Sequence, residues 1–277
     1  MKVSEKPTQE QMNKLEKLKK YIKSLGKIAV AFSGGVDSTF LLWVAKEVLG
    51  NNVIAITSRL NSFPNREFTE SQNFCKLNNI SWIEFTLDEL TIDGFKDNPI
   101  NRCYLCKRKI FSEIKRIAKE NDILEVAEGS NVDDTMDYRP GLKAIEELEI
   151  KSPLRIAGMM KEDIRVLSRF FGLPTWDKPS FACLSTRFEY GDEITEEKLA
   201  MVDKGEQLLL DLGFSQVRVR VHGKMARIEI LPEEFSKLIE ENNRKKIYES
   251  FREYGFTYVS MDLMGYRTGS MNALLKG

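Results

Sequence analysis

Three stretches of this chain carry residue types that do chemistry rather than packing. The first is Ser33-Gly34-Gly35-Val36-Asp37-Ser38, in which hydroxyls and a carboxylate surround a glycine pair. Glycine lets a backbone approach a ligand closely, and a helix that starts there offers free N–H groups to an anion. The combination reads as a phosphate cradle, although its spacing is shorter than that of the Walker-type loop and no lysine follows the glycines. The second is a set of cysteines. Cys103 and Cys106 form a Cys-x-x-Cys at the start of a helix, inside Arg102–Lys109, and Cys183 lies far away in sequence. Structural zinc takes a fourth nitrogen or sulfur ligand, and the one histidine, His222, belongs to a different segment. Three thiolates without a fourth partner fit a 4Fe–4S cluster with one iron open to substrate or sulfide. Zinc, a redox dithiol and a chance pair remain the competing readings. Cys75, beside Phe74 at a helical position, reads as apolar filler.

The third stretch is Gln216-Val-Arg-Val-Arg-Val-His222, whose strict alternation puts Arg218, Arg220 and His222 on one face of a strand and the valines on the other. Two neighbouring guanidinium groups can bind a phosphate bidentately. Arg227 and Glu229 would join that face from a partner strand. The competing reading is a solvated basic face, and His222 itself reads as structural.

These residues need elements to position them. The apolar run Ile28 to Phe32 reads as a buried strand, and Phe40, Leu41, Val44, Ala45, Val48 and Leu49 have helical spacing, so the phosphate cradle is a strand-to-helix turn. Further strands are expected at 53–58, 81–87, 123–129 and, shorter, at 151–154; helices are expected at 8–25, 65–77, 107–121 and 161–171. Strands alternating with helices predict an α/β fold, a doubly wound parallel sheet, with the polar loop 130–141 at a strand's carboxyl end where such sheets hold ligands. Periodicity stops around 175–191, which suggests domains of 1–180 and 181–277. The second would be a small α+β unit: a helix from Thr195 to Leu212, a hairpin turning at Gly223-Lys224, a helix at 233–254 and a strand at 258–263.

Composition narrows the class. The chain has 277 residues, 42 basic and 42 acidic, so its formal net charge is zero and no overall field draws nucleic acid. No apolar run is long enough to span a bilayer, the start lacks a signal-peptide core, and four cysteines are too few for a disulfide scaffold. A cytoplasmic protein is the expectation.

Ser33–Ser38 resembles the SGGxDS loop of the PP-loop ATP pyrophosphatases, whose fold is adenine nucleotide alpha hydrolase-like. The resemblance sharpens with Asp137–Lys143, Cys183-Leu-Ser-Thr-Arg187, Val217–His222 with Ala226–Glu229, and Gly265–Asn272. Over nearly the whole chain it is similar to the LarE family, ATP-dependent sulfurtransferases of nickel-pincer nucleotide biosynthesis that serve lactate racemase. The resemblance implies a pyridinium-3,5-biscarboxylic acid mononucleotide as substrate, adenylated on a carboxylate with release of pyrophosphate and then converted to a thiocarboxylate. It implies that Ser33, Gly34, Gly35, Asp37 and Ser38 hold ATP with Mg2+, that Arg218, Arg220 and Arg267 hold the mononucleotide phosphate, and that Asp37 and Cys183 are catalytic. Cys103 and Cys106 are absent from the single-cysteine members, in which the cysteine gives up its own sulfur. Their presence resembles the subgroup in which Cys103, Cys106 and Cys183 would bind a 4Fe–4S cluster that carries the sulfide. A homo-oligomer, a hexamer by resemblance, and other nickel-pincer biosynthesis proteins are the implied partners. The alternatives are a PP-loop tRNA thiolase, which would need a broad basic surface, and a nucleotide or Fe–S carrier without catalysis.

Overall fold

The structure, a computed structural model, describes residues 6–136, 140–179, 183–267 and 270–271. Asp137 to Arg139, Ser180 to Ala182, Thr268, Gly269 and Asn272, all within segments singled out above, lie outside the described residues. The chain divides into two compact units, one of residues 1–88 and 101–181 and the other of 89–100 and 182–277. The segment Glu89–Ile100, which the sequence reading kept with the first part, therefore groups with the second.

The first unit contains α1 (Gln9–Leu25), β1 (Ile28–Ala31), α2 (Val36–Leu49), β2 (Val53–Arg59), α3 (Asn65–Leu77), β3 (Ser81–Thr86), α4 (Arg102–Glu120), β4 (Glu125–Ala127), α5 (Gly141–Glu147), α6 (Pro153–Ile156) and α7 (Lys161–Phe170). Its strands form a parallel sheet in the order β3-β2-β1-β4. Side chains alternate across it as strand geometry requires. Ile28, Val30, Val53 and Ala55 face a core built with α1, α2 and α7, including Leu15, Leu18, Phe40, Leu41, Ile164 and Leu167. Ala29, Ile54 and Ile56 face the other core, with Phe111, Ile114 and Ile117 of α4 and Ile145 of α5. Both faces are thus covered, which is why these strands read as continuous apolar runs.

Two expectations fail here. Lys151 makes only an isolated bridge to Ala127, and the rest of the expected strand 151–154 is instead the start of α6. Pro153 explains it: proline is preorganised for a first helical turn and cannot donate to a sheet. Helix α4 begins at Arg102 rather than 107, with Cys103 and Cys106 at its start, in the first two turns, as the sequence suggests.

The second unit contains α8 (Glu196–Asp211), β5 (Arg218–His222), β6 (Met225–Glu229), α9 (Phe235–Ile239), α10 (Glu241–Glu253) and β7 (Tyr258–Met261). Thr195 caps α8, its hydroxyl accepting from the Lys198 amide at 3.2 Å. β5 and β6 form the expected antiparallel hairpin, and β7 adds parallel to β6. The helix expected over 233–254 is broken at Glu240, whose extended backbone (φ −51°, ψ 137°) ends α9 and starts α10. Helix α10 reaches α8 through Phe251, and Gly205 is the reason it can: a Cβ there would lie 3.0 Å from the Phe251 ring.

Candidate active site

The sheet order places β2 on one side of β1 and β4 on the other, so the connections diverge at the carboxyl ends of β1 and β4. That divergence opens a crevice where α/β sheets hold ligands. The Ser33–Ser38 loop leaves β1 there and Gly129-Ser130-Asn131 leaves β4 there. The two touch, since a Cβ on Gly129 would sit 2.9 Å from the Ser38 nitrogen. Gly34 takes φ +70°, and a Cβ on it would lie 2.3 Å from Ser71 Oγ of α3. Glycine is therefore required on both counts. Gly35 caps α2 without a side-chain acceptor, leaving the first-turn amides unserved by a cap. The loop is closed by its serines: Ser38 Oγ accepts from the Ser33 amide at 3.3 Å, lies 3.1 Å from Ser33 Oγ and donates to the Gly35 carbonyl at 3.2 Å.

Asp37, in the first turn of α2, points to the loop after β4. Asn131 Nδ2 donates to its Oδ1 at 3.3 Å, and the Lys161 ammonium is ion-paired to its Oδ2. That loop is braced by buried Glu128, which accepts from the Ser130 amide (3.0 Å), Ser130 Oγ (2.7 Å) and Ser152 Oγ (2.5 Å). On the α3 side, Lys178 Nζ donates to the Gly34 carbonyl at 3.3 Å and pairs with Glu67 (2.7 Å) and Glu70 (2.5 Å). Burial pushes the Glu67 carboxyl above its ordinary range, against the pull of Lys178. Arg165 of α7 holds the Lys178 segment through the Trp176 and Lys178 carbonyls at 2.7 and 2.8 Å. Asn131, Lys161, Lys178 and Glu67 were not singled out from sequence. They come from four segments, and only the packing brings them to the glycine pair.

Cys103 and Cys106 occupy one face of the start of α4, the first exposed and the second half-buried. Among the described residues no three His, Cys, Asp or Glu side chains gather as a metal-binding group. The donor chemistry at Cys103 and Cys106 nevertheless suits iron: neither thiol is in a disulfide, and the two are spaced one turn apart near the surface. Cys75 is buried, and burial pushes its thiol up to about 12, as expected for filler rather than a ligand.

In the second unit Cys183, half-buried and free, heads the turn Leu184–Arg187. Its carbonyl accepts from the Thr186 amide (2.9 Å), Thr186 Oγ1 (2.8 Å) and Arg187 Nη1 (3.3 Å). The turn runs directly into the hairpin, with Phe188 bridging to Val221 and Arg220 Nη1 donating to the Thr186 carbonyl at 3.0 Å. Arg220 is therefore bound to the turn that Cys183 heads, and the reading of a solvated strand face is corrected: Arg218 and Arg220 are 3% and 5% exposed. Arg220 pairs with fully buried Glu229 at 2.8 Å, and Arg227 reaches the same carboxylate at 3.3 Å. Arg218 lies over the Tyr266 ring at 5.2 Å. Arg267 is more exposed and meets Asp262 at 3.6 Å, as does Arg227. Arg187, completely buried, makes a bidentate pair with Glu206 at 2.6 and 2.9 Å. Burial raises the Glu206 carboxyl, but Arg187, then Arg218 and the Val219 amide, outweigh it and hold it below the usual range. The Arg218 guanidinium is pushed down to about 10, by burial first and by its neighbour Arg187 second. His222 Nδ1 lies 2.8 Å from a Glu189 carboxylate oxygen, in keeping with a structural role.

The sequence profile of the PP-loop domain matches residues 5–137, the part that carries the glycine loop and Asp37. Site and profile together define an ATP-binding enzyme of the PP-loop class. Among curated proteins, the chain is 37% identical over 255 residues to pyridinium-3,5-bisthiocarboxylic acid mononucleotide synthase of Lactiplantibacillus plantarum, covering 92% of each chain. It is 39% identical to an uncharacterized protein of Synechocystis sp., over 95% of this chain and 98% of the relative. An uncharacterized protein of Methanocaldococcus jannaschii is 32% identical, over 93% and 98%. The chain belongs to the LarE family of pyridinium-3,5-bisthiocarboxylic acid mononucleotide synthases and is an ATP-dependent sulfurtransferase. No helix among the described residues is long and apolar enough to cross a membrane.

Proposed function

We propose that this enzyme adenylates the carboxylates of pyridinium-3,5-biscarboxylic acid mononucleotide and converts each to a thiocarboxylate, with Cys183 at the sulfur-transfer end and Ser33–Ser38 at the ATP end. The observation that carries the substrate assignment is the arginine nest beside Cys183. Arg220 Nε and Arg227 Nε are buried without a hydrogen-bond partner among the described residues. An environment that lowers the affinity of Arg218 for its proton through burial and neighbouring guanidinium charge rewards an arriving anion. A nucleotide phosphate supplies the matching acceptors and charge. Arg218 and Arg220 would hold that phosphate, with Arg267 closing over it from its more exposed position.

At the ATP end, the first-turn amides of α2 and the Ser33 and Ser38 hydroxyls would receive the β and γ phosphates, and Asp37 would orient the Mg2+ that accompanies them. A substrate carboxylate oxygen then bonds to the α-phosphorus as pyrophosphate leaves. Sulfide adds to the resulting acyl carbon, and AMP departs with the bridging oxygen, leaving a thiocarboxylate. A 4Fe–4S cluster held by Cys103, Cys106 and Cys183 would supply that sulfide from its open iron, keeping it nucleophilic near neutral pH. The Thr186 and Arg187 hydrogen bonds to the Cys183 carbonyl fix the turn that carries its thiol.

The deciding experiment is iron, acid-labile sulfide and product analysis on protein purified without oxygen. About four irons per chain, lost in Cys103→Ala, together with ATP-dependent thiocarboxylate formation and an intact Cys183, supports this reading. Cluster-free protein whose Cys183 becomes dehydroalanine after one turnover would assign the sacrificial route. ATP binding without pyrophosphate release when the mononucleotide is present would assign a carrier.

A further inference from the structure

A loop that grips pyrophosphate needs positive charge, and this one has no lysine of its own. Two lysines approach it from other elements, and their surroundings differ. Lys178 lies against the Gly34 carbonyl, but its ammonium is shared by Glu67 and Glu70, so its charge is already more than matched. It staples α3 and the Thr175–Lys178 segment to the loop. Lys161 has one carboxylate partner, Asp37, and that partner belongs to the loop itself.

The placement of Lys161 is built rather than incidental. It is the first residue of α7, and its amide donates to Asp133 Oδ2 at 2.7 Å, tying the helix start to the loop after β4. Two residues further in, Asp163 takes the Met160 amide at 2.9 Å and is pinned to α1 by Lys14 at 2.8 Å and Gln11 at 3.2 Å. Asn131 occupies the other Asp37 oxygen at 3.3 Å, so the ammonium and the carboxylate meet in one orientation. Because Asp37 lies in the first turn of α2, a cation on its carboxylate sits beside the free amides of that helix start. Lys161 and Asp37 side chains are 28% and 22% exposed, which leaves the pair accessible to a ligand.

We infer that Lys161 is the phosphate-contacting cation of the ATP site, and that Asp37 holds it in reserve while the loop is empty. On nucleotide entry the ammonium exchanges a carboxylate oxygen for a phosphate oxygen, and the charge then stabilises the departing pyrophosphate. In the absence of metal, carboxylate and phosphate compete for the same ammonium. Removing the lysine therefore weakens phosphate binding, and removing the carboxylate's charge strengthens it. Because loss of the carboxylate also relieves its own repulsion of phosphate, the lysine contact is read from Lys161→Met made in the Asp37→Asn background, where a residue that merely orients or neutralises Asp37 would have no further effect.

The test measures binding of pyrophosphate, ATP and AMP to the full chain by titration calorimetry in EDTA, with no mononucleotide present, so its outcome is separable from the sulfur-insertion reading. Lys161→Met should weaken pyrophosphate and ATP by about tenfold or more while leaving AMP within about twofold, as expected for loss of one charge-assisted contact. Lys161→Arg should recover most of that loss. Asp37→Asn, which retains an acceptor for Asn131, should bind metal-free pyrophosphate several-fold more tightly than the parent. Parent-like pyrophosphate affinity in Lys161→Met, or weaker affinity in Asp37→Asn, overturns the assignment. Should Lys161→Met fail to fold by its melting profile, Lys161→Gln takes its place in the same titrations.

Discussion

The buried pair of Arg187 and Glu206 offers the most exacting check on the second unit. Both side chains are fully buried, and the Glu206 carboxylate also accepts the Val219 amide at 3.0 Å. Truncating Glu206 to alanine leaves the Arg187 charge in the interior, takes a counter-charge from Arg218 and orphans that amide. Breaking a buried ion pair by removing one partner costs about 3–5 kcal/mol. For a chain of this length each kcal/mol shifts the melting temperature by about 2 °C, so Glu206→Ala should lower it by about 6–10 °C. Hydrogen-exchange mass spectrometry should show the loss first in peptides from α8 and β5. Replacing both partners, as Arg187→Met with Glu206→Leu, should recover more than half the stability, because no stranded charge remains at position 187. Sulfur transfer should nevertheless stay low in the double variant, since the Arg187 bond to the Cys183 carbonyl is gone. A Glu206→Ala penalty below about 1 kcal/mol, the range for solvent-exposed pairs, would refute the reasoning.

Two further outcomes test the first unit. Gly34→Ala should weaken ATP binding by about tenfold or more, because its Cβ meets Ser71 Oγ, itself buried and bonded to the Glu67 carbonyl at 2.8 Å. Gly26→Ala, at a similar φ of +74° with nothing within 4 Å, should leave ATP binding unchanged; equal effects would show that backbone strain rather than the close approach matters. Burial raises the Asp163 carboxyl, but the Lys14, Met160 and Gln11 hydrogen bonds prevail and hold it below its ordinary value. Its contribution to stability is therefore present above the ordinary carboxylate pKa and lost as pH falls through the lowered one. Urea midpoints of parent and Asp163→Asn should converge in acid and separate toward neutral pH; parallel curves would exclude the linkage.

Much of this protein follows from local pattern. The strand, glycine turn and helix from Ile28 to Leu49 are legible because three signals coincide within a short window: a continuous apolar run, residues suited to a tight anion-binding turn, and helical spacing after it. The hairpin is equally legible from strict alternation across Gly223-Lys224. Where local signals conflicted, the sequence reading lost. Lys151 to Leu154 is short and apolar enough for a strand, but Pro153 favours a helical turn. The 233–254 periodicity continues through Glu240 although the backbone does not.

By itself, then, the sequence determined the α/β class, the phosphate loop and the identity of the thiols and hairpin arginines, because each depends on neighbours a few residues away. Only the tertiary structure decided what those groups face. Arg218 and Arg220 read as one side of a strand, yet their surroundings are set by Glu206, Glu229 and the Cys183 turn packed around them. Asp37 reads as a loop carboxylate, yet Lys161, distant in sequence, holds it. Periodicity reports which face of an element is apolar. Which charge waits opposite a given residue depends on sheet order and on the helices that cross back over it, and no local pattern encodes that.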